Sequence, residues 1–306
     1  MHPIVSADEA PTRAAGAGAT RRAMLAFGLA ASLSGCAWLD GKQTQLALRP
    51  TLGRPAGLPP DEVLFRPGDL RQQVDVPSAN PALTDRLALW WLPHPDPMAP
   101  TLLYLHGSFR NLYSNMPKIN ALRDAGFAIV AVDYRGWGES TAVVPSEESI
   151  AADAGVAWDE LQRRQPDPRR RVIYGHSMGS AVAVRLASRL HGGSDYGALA
   201  LESAFTRLSD IAAEAGFWGR LAAALTTLEF DSLSLISRID APLLMLHGSA
   251  DHTVPVALGR RLRDAAPPGV RWIEVPGGTH SRLHSEAPET YRSAFQDLAR
   301  DMAARQ

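Results

Sequence analysis

Cysteine and lysine are nearly absent from this sequence. Of its 306 residues one is cysteine, Cys36. No internal disulfide can form, so the fold must rest on its buried core. No Cys/His ligand spacing points to structural zinc, and neither a metal nor a cofactor is expected. Lys42 and Lys118 are the only lysines, and the other basic side chains are arginines balanced by acids to a net charge of -1. That balance gives no basic footprint for a nucleic-acid partner. The apolar run at residues 23–33 is too short for an ordinary membrane-spanning helix.

The first residues are organised as a leader rather than as fold. A polar stretch rich in Ala, Gly and Pro precedes Arg21-Arg22, the apolar run, and Ser34-Gly35-Cys36. A charged start, a short apolar middle and small residues at the end make a secretory signal over residues 1–35. Leu33-Ser34-Gly35-Cys36 resembles the bacterial lipobox, which implies cleavage before Cys36 and acylation of its thiol. Thr20-Arg21-Arg22-Ala23-Met24-Leu25 resembles a twin-arginine export signal. A lipoprotein anchored in the bacterial cell envelope is the expected form. Residues 36–60, with several Gly and Pro and no clear periodicity, read as a tether.

From residue 61 the pattern changes, and the remaining length suits one large α/β domain. Residues 71–76 and 86–92 read as two early strands, close enough in sequence to pair antiparallel. Apolar runs then alternate with helical stretches. Strands are expected at 101–105, 127–132, 171–174, 198–201, 243–246 and 270–275, and helices at 112–125, 149–164, 180–188, 256–264 and 289–304. That alternation predicts a mostly parallel central sheet with helices on both faces. Ligands of such sheets sit beyond the carboxyl ends of the strands.

One turn organises the rest. Gly175-His176-Ser177-Met178-Gly179 fits the pattern G-x-S-x-G between a short apolar strand and a helix of small residues. The glycines let the backbone turn sharply and lift the Ser177 hydroxyl clear of the sheet. The Met178 amide and the helix N-terminus then point at the place where an anion would form. Three other segments reach the same edge. The strand ending at His106-Gly107-Ser108 would supply the Ser108 amide as a second donor. His247-Gly248-Ser249-Ala250-Asp251 places a carboxylate at a strand end. Gly277-Gly278-Thr279-His280 puts a histidine on the loop after the last strand. Asp133 and Glu202 are rival acids, and His247, His252 and His284 rival bases; His106 reads as structural.

The order Ser, Asp, His, together with His106-Gly107, Asp133-Tyr134-Arg135-Gly136-Trp137-Gly138-Glu139-Ser140 and His247 to Pro255, resembles the α/β-hydrolase superfamily over residues 61–306. The resemblance implies Ser177 as nucleophile, Asp251 as acid and His280 as base, with Ser108 and Met178 forming the oxyanion hole. A serine hydroxyl needs an adjacent base to attack at neutral pH. The imidazole takes its proton, and the carboxylate holds the tautomer. The expected activity is hydrolysis of a carboxylic ester or thioester of a small molecule or lipid through an acyl-enzyme. An acyltransferase or peptidase on the same triad, or a non-catalytic binding lipoprotein, are the alternatives. Residues 209–239 hold Phe217, Trp218, Leu221, Leu225, Leu228 and Phe230 and read as a small lid, or as residues that complete the core.

Overall fold

Eight strands hydrogen-bond into one sheet in a computed structural model that describes residues 44–45, 48–214 and 228–304. The signal segment, Cys36 and residues 215–227 of the expected lid lie outside the described residues. The strands are β1 (Leu70–Pro77), β2 (Thr84–Leu92), β3 (Thr101–Leu105), β4 (Ala128–Asp133), β5 (Arg171–His176), β6 (Ala198–Glu202), β7 (Leu243–Gly248) and β8 (Arg271–Val275). Their spatial order is β1-β2-β4-β3-β5-β6-β7-β8. β2 runs antiparallel to both β1 and β4, and every later pair is parallel. This is the mostly parallel architecture that the alternating pattern predicts.

Burial follows position in the sheet. Every residue of β3, β4, β5, β6 and β7 is buried, whereas edge strand β1 exposes about every second residue. Central strands covered on both faces must be apolar throughout. Side chains alternate between faces. Leu103, Leu105, Val130, Val132 and Ile173 pack with helices α2 (Glu147–Arg164), α3 (Met178–Ala187) and α5 (Val256–Ala265). Leu102, Tyr104, Ile129, Val172 and Tyr174 pack with α1 (Leu112–Asp124) and α6 (Pro288–Ala304). A further helix, α4, spans Leu208–Glu214.

The helix ends have local causes. Ser146 and Ser149 exchange side-chain to backbone hydrogen bonds at the start of α2, a reciprocal cap. Glu147 and Glu148 lie in its first turn and Arg163 and Arg164 in its last, each favourable with the helix dipole. At α1, Asn111 accepts from the Ser114 amide.

One region differs from the sequence expectation, and in a second the described residues take one of two readings left open. Residues 48–60, read as part of a tether, begin against the domain: Leu48 is buried in the core, and Leu52 bridges to Gly138. A Gly- and Pro-rich stretch has no periodicity to announce such docking, because the contacts are single residues. In the segment read as a lid, Leu228, Phe230, Ile236 and Ile239 are buried in the same core cluster as α3. Those residues complete the core, one of the two readings open from the sequence.

Glycine decides how closely α3 meets the sheet. A Cβ on Gly175 would lie 2.2 Å from the Gly179 carbonyl oxygen, and one on Gly179 would lie 2.1 Å from that of Leu105. Both contacts are with backbone, which cannot swing aside. Gly175→Ala or Gly179→Ala is therefore expected to cost at least ~3 kcal/mol, the upper end for overpacking. Gly155, in the middle of α2, has nothing within 4 Å of an added Cβ. Gly155→Ala should instead stabilise by ~0.5–1 kcal/mol. Thermal melts of the three variants check both signs.

Candidate active site

The turn from β5 into α3 holds Ser177 at φ 55°, ψ -124°, a strained conformation for a residue with a side chain. The neighbours enforce it. The Ser177 amide donates to the Glu202 carbonyl at 2.9 Å, and its own carbonyl accepts from the Ser180 amide at 2.8 Å. The side chain is thereby pushed off the sheet into a cleft of about 450 Å³.

The three residues singled out from the sequence meet there. His280 Nε2 lies 3.0 Å from Ser177 Oγ, and His280 Nδ1 lies 2.8 Å from Asp251 Oδ2. A carboxylate can only accept, so Nδ1 carries the proton and Nε2 is free to take the serine proton. The His280 side chain is 12 % exposed and that of Asp251 0 %. The base can therefore reach substrate while its orienting acid stays dry. Burial alone would raise the Asp251 carboxyl. The His247 imidazole nearby, with hydrogen bonds from His280 and the Val254 amide, outweighs it and holds the group well below the ordinary carboxylate range. The Thr253 and Val254 amides donate to Oδ1 at 2.9 and 2.8 Å. Asp251 is an anion locked on one side so that its other oxygen faces the imidazole.

The expected oxyanion residues lie next to the nucleophile in different ways. Met178 is the first residue of α3, and Ser108 lines the cleft beside Gly107. Among the described residues neither amide donates to a protein acceptor. Trp137 Nε1 donates to the Ser108 carbonyl at 2.6 Å, fixing the plane of that peptide.

The rivals have other roles. Glu202 ends β6 in register with His176, yet its carboxylate turns into the core. It accepts from Lys118 Nζ at 2.5 Å, from Tyr174 at 2.6 Å and from Tyr291 at 3.0 Å. Burial opposes its charge, but the Lys118 charge and the hydrogen bonds from Lys118 and Tyr174 hold the carboxyl down to about 2. Asp133 accepts from the Leu112 amide at the start of α1. Burial pushes its carboxyl up to about 8 and the neighbouring His106 imidazole down to about 4, so this pair is neutral near pH 7. His247 donates through Nε2 to the Val254 carbonyl at 2.9 Å and steadies the Asp251 turn. His252 is exposed on the cleft wall. His284 lies against the Tyr291 ring, 6.2 Å between centroids.

Sequence reasoning gave no role to His176, which proves to be a brace. Its Nε2 lies 2.9 Å from the His280 carbonyl, which also accepts from Ser203 Oγ at 3.1 Å. Burial, and then the Lys118 charge, lower its pKa far below that of a free imidazole. It therefore sits neutral, donating to the backbone of the catalytic base. Its position just before the nucleophile was the available signal. Among the described residues no group of three or more His, Cys, Asp or Glu could hold a metal ion.

Residues 97–235 match the family described as serine aminopeptidase, S33. An uncharacterised protein of Mycobacterium tuberculosis is 34% identical over 198 residues, which covers 64% of this chain and 68% of that one. The chain belongs to the α/β-hydrolase superfamily. The lysophosphatidylserine lipase ABHD12 of Danio rerio is 34% identical over 182 residues, 55% of this chain and 47% of that one. The match thus spans about half of the lipase. Among solved structures, the Pyrococcus furiosus esterase Pf2001 superposes with a TM-score of 0.64 at 19% identity, covering 83% of this chain and 97% of that one. That likeness is one of fold. Family and site geometry together make this α/β-hydrolase a serine hydrolase for ester-type bonds. Attack by Ser177 Oγ on an acyl carbon, with His280 Nε2 taking the proton, gives a tetrahedral adduct; the alcohol or thiol leaves with that proton to give the acyl-enzyme, and water then attacks with His280 as base, releasing the acid and restoring Ser177.

His280→Ala should lower turnover of an aryl ester about 10⁴- to 10⁶-fold, and Asp251→Asn about 10³- to 10⁴-fold, without loss of the folded state. Steady-state kinetics and circular dichroism check both. The Glu202 carboxyl has a separate signature. Its folded pKa lies below the ordinary 4.5, so its contribution to stability is complete above pH 4.5 and is lost as pH falls toward 2. Denaturant melts between pH 6 and pH 2.5 should show that loss. Glu202→Gln should flatten it while destabilising the fold by ~3–5 kcal/mol, because Lys118 is left buried without its counter-charge.

Proposed function

We propose that the chain hydrolyses the acyl ester of a singly acylated, anionic lipid at the bacterial cell envelope, where Cys36 carries its anchor. Ser177 is the nucleophile, His280 the base and Asp251 the acid, and the Ser108 and Met178 amides receive the oxyanion. The observation that carries the substrate reading is the rim of the cleft. Arg49, Arg110 and Arg282 line it together with His252, and among the described residues no carboxylate lines it. Phe109, an exposed aromatic, lies on the same wall. A basic rim around an apolar contact suits an acyl chain joined to a negatively charged head group. It suits an aminopeptidase poorly, since a free amino terminus would meet arginine. By its name the ABHD12 lipase acts on such an anionic monoacyl lipid. Among the described residues no helix is long and apolar enough to cross a membrane. In this reading membrane contact comes from the acylated Cys36.

Purified protein should react with a fluorophosphonate probe, and Ser177→Ala should not. With monoacyl esters of equal chain length, kcat/KM should be higher for a phosphorylated alcohol than for glycerol. Arg110→Ala with Arg282→Ala should narrow that preference by about 5- to 10-fold, on the order of 1 kcal/mol. Cys36→Ala should leave the protein in the soluble fraction of cells, and incorporation of labelled palmitate should disappear with it. Equal rates on neutral and anionic esters would remove the head-group assignment.

A further inference from the structure

The loop between β3 and α1, Gly107 to Asn111, contributes one wall of the cleft and the Ser108 amide. Phe109 and Arg110 at its tip are exposed, whereas Gly107, Ser108 and Asn111 at its ends are buried. It is gripped from two sides. On one side Trp137 Nε1 donates to the Ser108 carbonyl. On the other lies a segment from far up the chain, residues 48–53. The one Thr51 Oγ1 proton is shared between the Phe109 carbonyl and the Arg49 carbonyl, each at 3.3 Å, and Asn111 Nδ2 donates to the Gly53 carbonyl at 2.7 Å. The Arg49 guanidinium stacks over the Phe109 ring at 5.0 Å. The segment is itself pinned. The Gly53 amide donates to the Gly138 carbonyl at 2.7 Å, the Gly138 amide donates to the Thr51 carbonyl at 2.8 Å, and Leu48 is buried in the core. Gly138 follows Trp137 directly. A closed ring results: Thr51 to Gly138, Trp137 to Ser108, and Phe109 back to Thr51.

We propose that residues 48–53 are a strap that positions the Gly107–Asn111 loop for acyl transfer, with Thr51 and Gly53 as positioning residues. This rests on the reading of Ser108 as an oxyanion donor. A donor stabilises the developing negative charge only if it is already in place, and a displacement of about 1 Å can cost about a hundredfold in rate. The strap's polar contacts with the loop fall on the Phe109 carbonyl and on Asn111, the α1 cap, just downstream of the Gly107–Ser108 peptide that carries the Ser108 amide. Arg49 is in the cleft wall as well, so the strap also borders the substrate.

The test uses the full chain. Gly53→Pro removes the donor to Gly138 and cannot adopt the observed φ of 69°, since proline is held near -65°. Gly57→Pro meets the same conflict, at φ 79°, with nothing nearby and no contact to the loop. It is the control for backbone strain. Thr51→Val removes one hydroxyl and leaves the backbone alone. Rates on an aryl acetate are divided by the concentration of sites that react with a fluorophosphonate. The second readout is the affinity of a trifluoromethyl ketone. Ser177 Oγ adds to its carbonyl carbon, the serine proton passes to His280 Nε2, and the carbonyl oxygen becomes an anion held by the same donors.

Gly53→Pro should lower kcat per site by about 10- to 100-fold with KM within about threefold, and ketone affinity should fall in parallel. Thr51→Val should lower both by about 2- to 5-fold, the range for one hydrogen bond. Gly57→Pro should keep both. If Gly53→Pro does not fold, Thr51→Val decides alone. Unchanged kcat per site in the strap variants, a fall in kcat without a fall in ketone affinity, or an equal loss in Gly57→Pro would overturn the proposal. A parent chain that neither labels nor turns over would sink the hydrolase reading itself, and the strap with it.

Discussion

Two glycine backbones in close contact set the geometry on which the catalytic site depends. Gly175 at the end of β5 and Gly179 in the first turn of α3 bring helix and sheet nearer than any side chain would permit. The chain between them must then reverse within a few residues, and Ser177 takes a left-handed φ that a serine adopts only under constraint. Such strain costs ~1–3 kcal/mol and is sustained by the packing of α3 and by the two backbone hydrogen bonds at Ser177. The result is a hydroxyl that points away from the core, beside the first free amides of a helix.

Two buried carboxylates near this turn illustrate how surroundings assign roles. Glu202 ends β6 and Asp251 follows the neighbouring β7, and both are held ionised. Glu202 spends its acceptor capacity on Lys118, Tyr174 and Tyr291, so it ties α1 and α6 to the sheet below the nucleophile. Asp251 has one oxygen occupied by the amides of its own turn and the other turned to His280. The first is a structural anion and the second a catalytic one, though each is a lone acid after a short apolar strand. Lys118, one of two lysines in the chain, is fully buried in this pair.

The loops around the cleft are tied to one another as well as to the sheet. His176 and Ser203 both donate to the His280 carbonyl, so the base is referenced to the elbow and to the end of β6. Trp137 connects the loop after β4 to the Ser108 peptide. The 48–53 segment closes that connection from outside. Catalytic groups drawn from four chain segments are thereby held in one frame, which is what preorganised donors and bases require.

Much of this was legible in the sequence, for definite reasons. Apolar strands such as Leu102-Leu103-Tyr104-Leu105 announce themselves because both faces are covered. The reciprocal serine cap and the charge distribution of α2 are local. The turn at Ser177 needs glycines on both sides, so Gly175, Ser177 and Gly179 mark it without help from distant residues. Strand ends of a parallel sheet converge on one edge, so Asp251 and His280 could be placed beside Ser177 from order alone. What sequence left open was the direction of each side chain and every contact between remote segments. Whether Glu202 or Asp251 serves the base depends on which finds Lys118 and which finds the imidazole. Whether residues 48–53 hang free or grip a loop depends on a few hydrogen bonds to Gly138 and Phe109. Local chemistry determined the elements and the turn; tertiary packing decided the partners, because a hydrogen bond's donor and acceptor are chosen by distance in space and not along the chain.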